Sequence, residues 1–164
     1  MSAILRLWPF VMALLAAAML AVAHAFQTFG HMAPCELCLK EREVWWAVLV
    51  VGLVGGAVAL RAERVRTIVI AVVVLLLFGS FLLAGYHAGV EWKWWPGPQS
   101  CSGSAGPVTI ADMRRLLKGG AIGIVRCDQA AWVFLGLSMA GWNAVVSLMA
   151  ALASLGVALW KTVA

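Results

Sequence analysis

TIVIAVVVLLLFGSFLLAGYHAGV, from Thr67 to Val90, holds no charged residue and does not alternate apolar with polar positions. A membrane-spanning helix needs about 20 mainly apolar residues, whereas a barrel strand alternates, so the stretch reads as a transmembrane helix. Just before it, Arg61, Arg64 and Arg66 crowd a tight link to a second uncharged run, Val44 to Leu60, near the short limit for a span. Pro9 to His31 and Gln129 to Trp160 supply two further uncharged stretches. Hydrocarbon leaves no water for backbone polar groups, so only helices or closed barrels cross it. Continuous apolar runs choose helices.

The expected fold is therefore all-α: a polytopic four-helix transmembrane bundle with two outward-facing loops that carry cysteines. One membrane domain over residues 1–164 is expected, with spans near 9–31, 44–60, 67–90 and 139–160 and loops at 32–43 and 91–138. The 164 residues are 64% hydrophobic with mean hydropathy +0.98, well above an ordinary soluble domain. A net charge of +5 invites a nucleic-acid reading, but no basic stripe interleaves with stacking aromatics. The basic residues gather at membrane boundaries instead.

Orientation follows from the short link, because the positive-inside bias acts chiefly in short loops. Arg61, Arg64 and Arg66 place that link in the cytoplasm, and Arg6 and Lys161 then fall on the same side. Seven basic residues on the far side, Lys40, Arg42, Lys93, Arg114, Arg115, Lys118 and Arg126, outnumber these five, but most are spread along a long loop. Both termini are expected inside. The small-residue pattern Ala23-His24-Ala25 resembles a signal-peptide cleavage site, yet the apolar run continues through Phe26 and Phe29, favouring a retained first span. Tryptophans support the boundaries, with Trp8 and Trp160 near inner ends and Trp45, Trp46, Trp92, Trp94, Trp95 and Trp132 near outer ones. Amphipathic indoles prefer that interface, and one or two of them can line a cofactor pocket.

Pro96, Gly97, Pro98, Gly103, Gly106 and Pro107 break regular structure in the second loop. Within it, Val108 to Lys118 spaces Met113, Leu116 and Leu117 as a short amphipathic helix, suited to lying on the bilayer or packing on the bundle.

Four cysteines carry the chemistry. Cys35 and Cys38 stand in Pro34-Cys35-Glu36-Leu37-Cys38, ahead of the second run, and Cys101 and Cys127 lie in the long loop. If Pro34 opens the second helix, Cys35 and Cys38 share the face of its first turn, where a helix N-terminus favours thiolate. Arg42 can add a cation on that face or act as an interfacial anchor, while Glu36, Glu41 and Glu43 oppose it and Lys40 partly offsets them. A bridge from Cys101 to Cys127 would contribute about 3.5 kcal/mol in the chain-entropy model, against about 2 kcal/mol for the tiny Cys35–Cys38 ring. Stabilisation therefore explains the first pair poorly, and redox use explains it better. Zinc ribbons use two close pairs, so no metal is expected, and Leu39 after Cys38 excludes a haem-attachment sequence.

The segment from Pro34 through Arg42, the Cys101 and Cys127 pair between spans three and four, and Phe134-Leu135-Gly136-Leu137 leading to Trp142 resemble the bacterial membrane disulfide-forming DsbB family across nearly all of the chain. The resemblance implies a quinone-dependent dithiol oxidase of the bacterial inner membrane with periplasmic cysteines. It implies that a reduced soluble DsbA-like thiol oxidase attacks Cys101, making a mixed disulfide, with Cys127 as that residue's loop partner. Cys35 would exchange with the loop, and Cys38 would face ubiquinone or menaquinone with Arg42 beside the ring. It also suggests His87 as a quinone-side residue, against a plain interfacial hydrogen-bonding role. Glu36 departs from the apolar residue expected between the cysteines, which bears on the redox potential. His24 and Gln27 are read as packing residues. A vitamin K epoxide reductase-like protein is the nearest rival, but there the quinone-facing pair is expected after the loop pair. A non-catalytic scaffold stapled by disulfides is the rival of another kind.

Overall fold

The computed structural model describes residues 3–98, 110, 114 and 126–163. Among the described residues, four helices are long and apolar enough to cross a membrane, as the uncharged runs predict. Helix α1 covers Ala3–Thr28, and α2 begins at Glu36 and runs to Val50. A π-helical turn at Val51–Gly55 and a final turn, α3 (Gly56–Ala59), complete the second span. Helix α4 covers Glu63–Glu91 and α5 covers Met139–Val163.

The second helix starts eight positions before Val44, where its uncharged run begins. Hydropathy marks where hydrocarbon begins, while Glu, Leu, Lys and Arg are all good helix formers, so the charged segment winds too. Cys35 is its N-cap: extended at φ −76° and ψ 172°, it accepts the Cys38 backbone N–H on its sulfur at 3.2 Å. The cysteine motif thus sits on the rim of a spanning helix rather than in a free loop.

The bundle interior combines aliphatic packing with a few buried polar pairs. Met12, Ala16 and Leu20 of α1 meet Trp45 and Val48 of α2, Val73 and Leu77 of α4, and Ala150 and Ala151 of α5. Leu14, Leu75 and Met149 point outward and are strongly exposed, the pattern of a protein whose outer solvent is lipid. Small residues let helices approach in such bundles. A Cβ at Gly52 would lie 2.6 Å from the Pro9 carbonyl oxygen and 2.8 Å from the Ala13 Cβ, so α1 rests directly on the π turn. Ser80 and Ser147 hydrogen-bond at 2.9 Å between α4 and α5. The Trp8 indole donates to Ser154 Oγ at 3.0 Å, tying α1 to α5. Trp8 therefore joins helices as well as marking an end.

At the opposite end, Val133–Phe134 (β1) pairs antiparallel with Leu137–Ser138 (β2). Leu135 and Gly136 between them have φ of 50° and 81°, the positive pair of a two-residue hairpin turn. Glycine suits its position there; leucine is held against its preference. The hairpin docks through aromatic rings: Trp132 lies 5.2 Å from Phe26 of α1 and 5.6 Å from Phe134, and Trp142 Nε1 donates to the Phe134 carbonyl. This two-stranded element is an addition to the expected all-helical plan. Of Val108 to Lys118, Ile110 and Arg114 are described, and both are helical; the rest of that expected helix lies outside the described residues.

Candidate functional site

Capping places the Cys35 sulfur at the mouth of α2, and the first helical turn brings Cys38 alongside. Both are free thiols, Cys35 buried and Cys38 half-buried. A shared hydrogen bond with the Cys38 thiol and the donated Cys38 N–H hold the Cys35 thiol below its usual value, against burial and the nearby carboxylates of Glu41 and Glu91. The expected thiolate-favouring helix start is thus realised by direct donation to sulfur.

His87 comes to the pair from α4. Its Nε2 lies 3.6 Å from Cys35 Sγ, and its Nδ1 meets Glu41 Oε1 at 2.6 Å. Glu41 follows Cys38 by three positions, so the helix itself turns the carboxylate toward the same interior. The other Glu41 oxygen accepts from Asn143 Nδ2 at 2.6 Å, and Asn143 Oδ1 accepts the Trp45 indole N–H at 2.9 Å. A continuous polar chain thus runs from Cys35 through His87, Glu41 and Asn143 to Trp45, inside apolar packing. Every link leaves its neighbour hydrogen-bonded, which is the condition for burying such groups without large cost.

Glu91 stands one turn beyond His87, its Oε1 3.9 Å from His87 Nε2 and its side chain 6% exposed. Among the described residues its Oε2 is a buried oxygen without a hydrogen-bond partner.

These groups border a cavity of about 130 Å³. Met19, Leu20 and Phe26 of α1 and Met139 and Ala140 of α5 give it apolar walls, and Cys35, Cys38, Glu41, Trp45 and His87 close its inner side. Arg42 also faces this cavity, but its guanidinium is held by α1, donating to Gln27 Oε1 at 2.6 Å and the Ala23 carbonyl at 3.0 Å. It borders the space beside Cys38 rather than pairing with a thiolate.

Cys127 packs with Cys35, Leu37 and Val90 in one buried cluster, with Cys38 against it. It is disulfide-bonded. Cys101 lies outside the described residues. Next to Cys127, Arg126 forks onto Asp128 at 2.8 and 2.6 Å, and that hydrogen-bonded guanidinium holds the half-buried Asp128 carboxyl below its usual range.

Of the residues singled out in the sequence, Cys35, Cys38, Arg42, His87 and Cys127 therefore converge on one end of the bundle. The sequence alone does not single out Asn143 or Glu91, and it presents Glu41 as a charge opposing the thiolate and Gln27 as a packing residue. A glutamate in register with the cysteine motif, and a lone asparagine inside a span, were the available signals, since intramembrane polar groups tend to be functional.

Comparison with known proteins agrees with this geometry. The family described as disulfide bond formation protein DsbB matches residues 5–157. A protein of Polaromonas naphthalenivorans (strain CJ2) named disulfide bond formation protein B is 29% identical over 131 residues, covering 78% of this chain and 75% of that one. Its namesake in Albidiferax ferrireducens is 28% identical over 161 residues, covering 96% and 88%. The match takes in four spans and the cysteine motif together, and so the chain belongs to the DsbB family of membrane disulfide bond formation proteins.

Proposed function

We propose that this chain is a dithiol:quinone oxidoreductase of the bacterial inner membrane that reoxidises a DsbA-like periplasmic thiol oxidase. The observation that carries the reading is the single buried cluster of Cys35, Cys127 and Cys38 beside an apolar cavity. Thiol-disulfide exchange requires sulfurs from two pairs to meet, and a lipid-soluble acceptor requires an apolar approach to one of them.

The exchange is balanced at each stage. A reduced partner gives two electrons to the loop disulfide of Cys101 and Cys127 and leaves oxidised. The reduced loop then attacks a Cys35–Cys38 disulfide, restoring its own bridge and leaving two thiols. Free Cys35 and Cys38 beside a bridged Cys127 correspond to the state after this second transfer. Cys35 is placed to meet the loop, since it shares the cluster with Cys127. Accepting the Cys38 N–H readies its sulfur for charge. His87 Nε2 is positioned to take or return the Cys35 proton, with Glu41 fixing the ring through Nδ1. Cys38 borders the cavity directly.

The cavity residues fit a quinone: apolar side walls for the ring faces, the Cys38 thiol at one edge and the Arg42 guanidinium as a hydrogen-bond donor for a carbonyl oxygen. Bound there, a quinone supplies a sink for two electrons and two protons. DsbA is itself a strong oxidant, so reoxidising it calls for such a stronger acceptor. The resemblance suggests a quinone-side role for His87; its 3.6 Å approach to Cys35 favours a role with the thiol instead. The motif preceding the loop pair favours this reading over a vitamin K epoxide reductase-like one. Both termini in the cytoplasm and the cysteines in the periplasm complete the proposal.

Purified protein given a reduced DsbA-like oxidase and ubiquinone, with menaquinone in a parallel arm, tests it. Turnover should need both Cys38 and Cys101. Unchanged turnover in Cys38→Ser or Cys101→Ser would remove the assigned roles.

A further inference from the structure

Beyond electron transfer, the dithiol form of the site has the donor set and spacing of a transition-metal centre. Cys35 Sγ, Cys38 Sγ and a ring nitrogen of His87 all lie within 4.8 Å of one another. Zinc holds sulfur at about 2.3 Å and imidazole nitrogen at about 2.0–2.1 Å, so tetrahedral angles put a sulfur and a nitrogen ligand about 3.6 Å apart. Cys35 Sγ and His87 Nε2 stand at 3.6 Å.

We propose that the reduced chain binds one borderline-soft divalent cation, of the zinc and cadmium class, through Cys35 Sγ, Cys38 Sγ and His87 Nε2. Two thiolates cancel the charge of the ion, so a neutral centre forms where an uncompensated divalent charge would be too costly. The balance is simple: the ion enters and the two thiols release two protons. No electrons move.

One feature outside the three ligands points the same way. Ligand histidines characteristically present their second ring nitrogen to a carboxylate, which fixes the tautomer and ring orientation. Glu41 Oε1 already holds His87 Nδ1 at 2.6 Å, directing Nε2 toward the sulfurs, and Asn143 anchors the other Glu41 oxygen. The three donors leave the fourth position to water from the cavity, as in sites of two cysteines and one histidine that keep a position open, and a water ligand keeps the centre neutral.

Such binding depends on redox state, because a Cys35–Cys38 disulfide removes two of the three ligands at once. An ion held there also occupies the sulfurs that electron transfer requires, so the same metals would inhibit turnover. The binding claim itself does not rest on the proposed reaction.

The test is anaerobic titration of the full-length protein in nanodiscs with cobalt(II), a spectroscopic stand-in for zinc. With Cys35 and Cys38 reduced and the loop bridge intact, one equivalent should produce thiolate-to-metal charge transfer and the visible bands of a tetrahedral site, and zinc should abolish both. Oxidising the pair with no change of sequence should abolish them too. Cys38→Ser should weaken the charge-transfer band, His87→Gln should shift the visible bands, and Glu41→Gln should reduce affinity about 10- to 100-fold. Absence of a charge-transfer band in the reduced wild type would overturn the proposal. So would a band indifferent to oxidation of the pair, whatever the quinone assay gives.

Discussion

His87 stands between Cys35 and Glu41, its two ring nitrogens 3.6 Å from the thiol sulfur and 2.6 Å from the carboxylate oxygen. The three residues come from the N-cap of α2, the interior of α4 and the second turn of α2. Sulfur, imidazole and carboxylate thus form a relay whose far end is pinned by Asn143.

If His87 serves the Cys35 proton, removing it should slow exchange between the loop and membrane pairs. General base assistance contributes about 10²- to 10⁴-fold, so His87→Gln is expected to lower that rate by at least the smaller factor. Glu41→Gln should give a weaker loss, since it disturbs the ring's orientation without deleting the ring. Rapid-quench alkylation of the single-turnover reaction reads both, and an unchanged rate in His87→Gln would assign the histidine to packing.

The donated Cys38 N–H and the shared thiol hydrogen bond lower the pKa of Cys35. Thiolate is the reactive form, so alkylation of Cys35 by iodoacetamide should persist to lower pH than for an ordinary thiol and fall only as pH drops through the depressed value. Peptide mapping of the reduced protein across a pH series checks this. A profile centred at or above the ordinary thiol range would contradict it.

Arg42 borders the proposed ring site while held by Gln27 and Ala23. A hydrogen bond involving a charged group contributes about 1.5–3 kcal/mol, equivalent to about 10- to 150-fold. Arg42→Leu should therefore raise the KM for quinone within that range while leaving the KM for the soluble partner nearly constant. Equal effects on both would argue against a quinone-side position.

Gly52 makes the close approach between α1 and the π turn of the second span, whereas a Cβ at Gly79 meets nothing within 4 Å. Overpacking generally costs about 1–3 kcal/mol, so Gly52→Val should be destabilising by at least that amount, and Gly79→Ala nearly neutral. Thermal unfolding in detergent would show the contrast; equal midpoints would mean that the approach is not under constraint.

Much of this architecture was legible in the chain because lipid imposes a simple rule on composition. Four uncharged runs correspond to four helices among the described residues, and Pro34-Cys35-Glu36-Leu37-Cys38 marks a helix start, although the helix begins at Glu36 with Cys35 as its N-cap rather than at Pro34. The rest of the site depends on contacts far apart in sequence. Asn143 meets Glu41 across 102 positions and His87 meets Glu41 across 46, and neither pairing leaves a periodic trace. By position in the sequence Trp45 is one more interfacial indole, yet it is buried and hydrogen-bonded to Asn143. Arg42 was expected near the thiolates because both share a helix face, but the carbonyl of Ala23 and the amide of Gln27 compete for it from α1. The hairpin at Val133–Ser138 was hidden because Phe134-Leu135-Gly136-Leu137 lacks the Asn-Gly or Asp-Gly pair that usually marks such a turn.

The central claim is that the Cys35 and Cys38 thiols discharge directly to quinone. Protein with this pair reduced and the loop bridge intact should be mixed anaerobically with one equivalent of ubiquinone, without any soluble partner, and its thiols counted by alkylation and peptide mapping. Two thiols per chain should disappear, forming a Cys35–Cys38 disulfide, as one quinol appears. Both cysteines remaining fully alkylatable after mixing would contradict it.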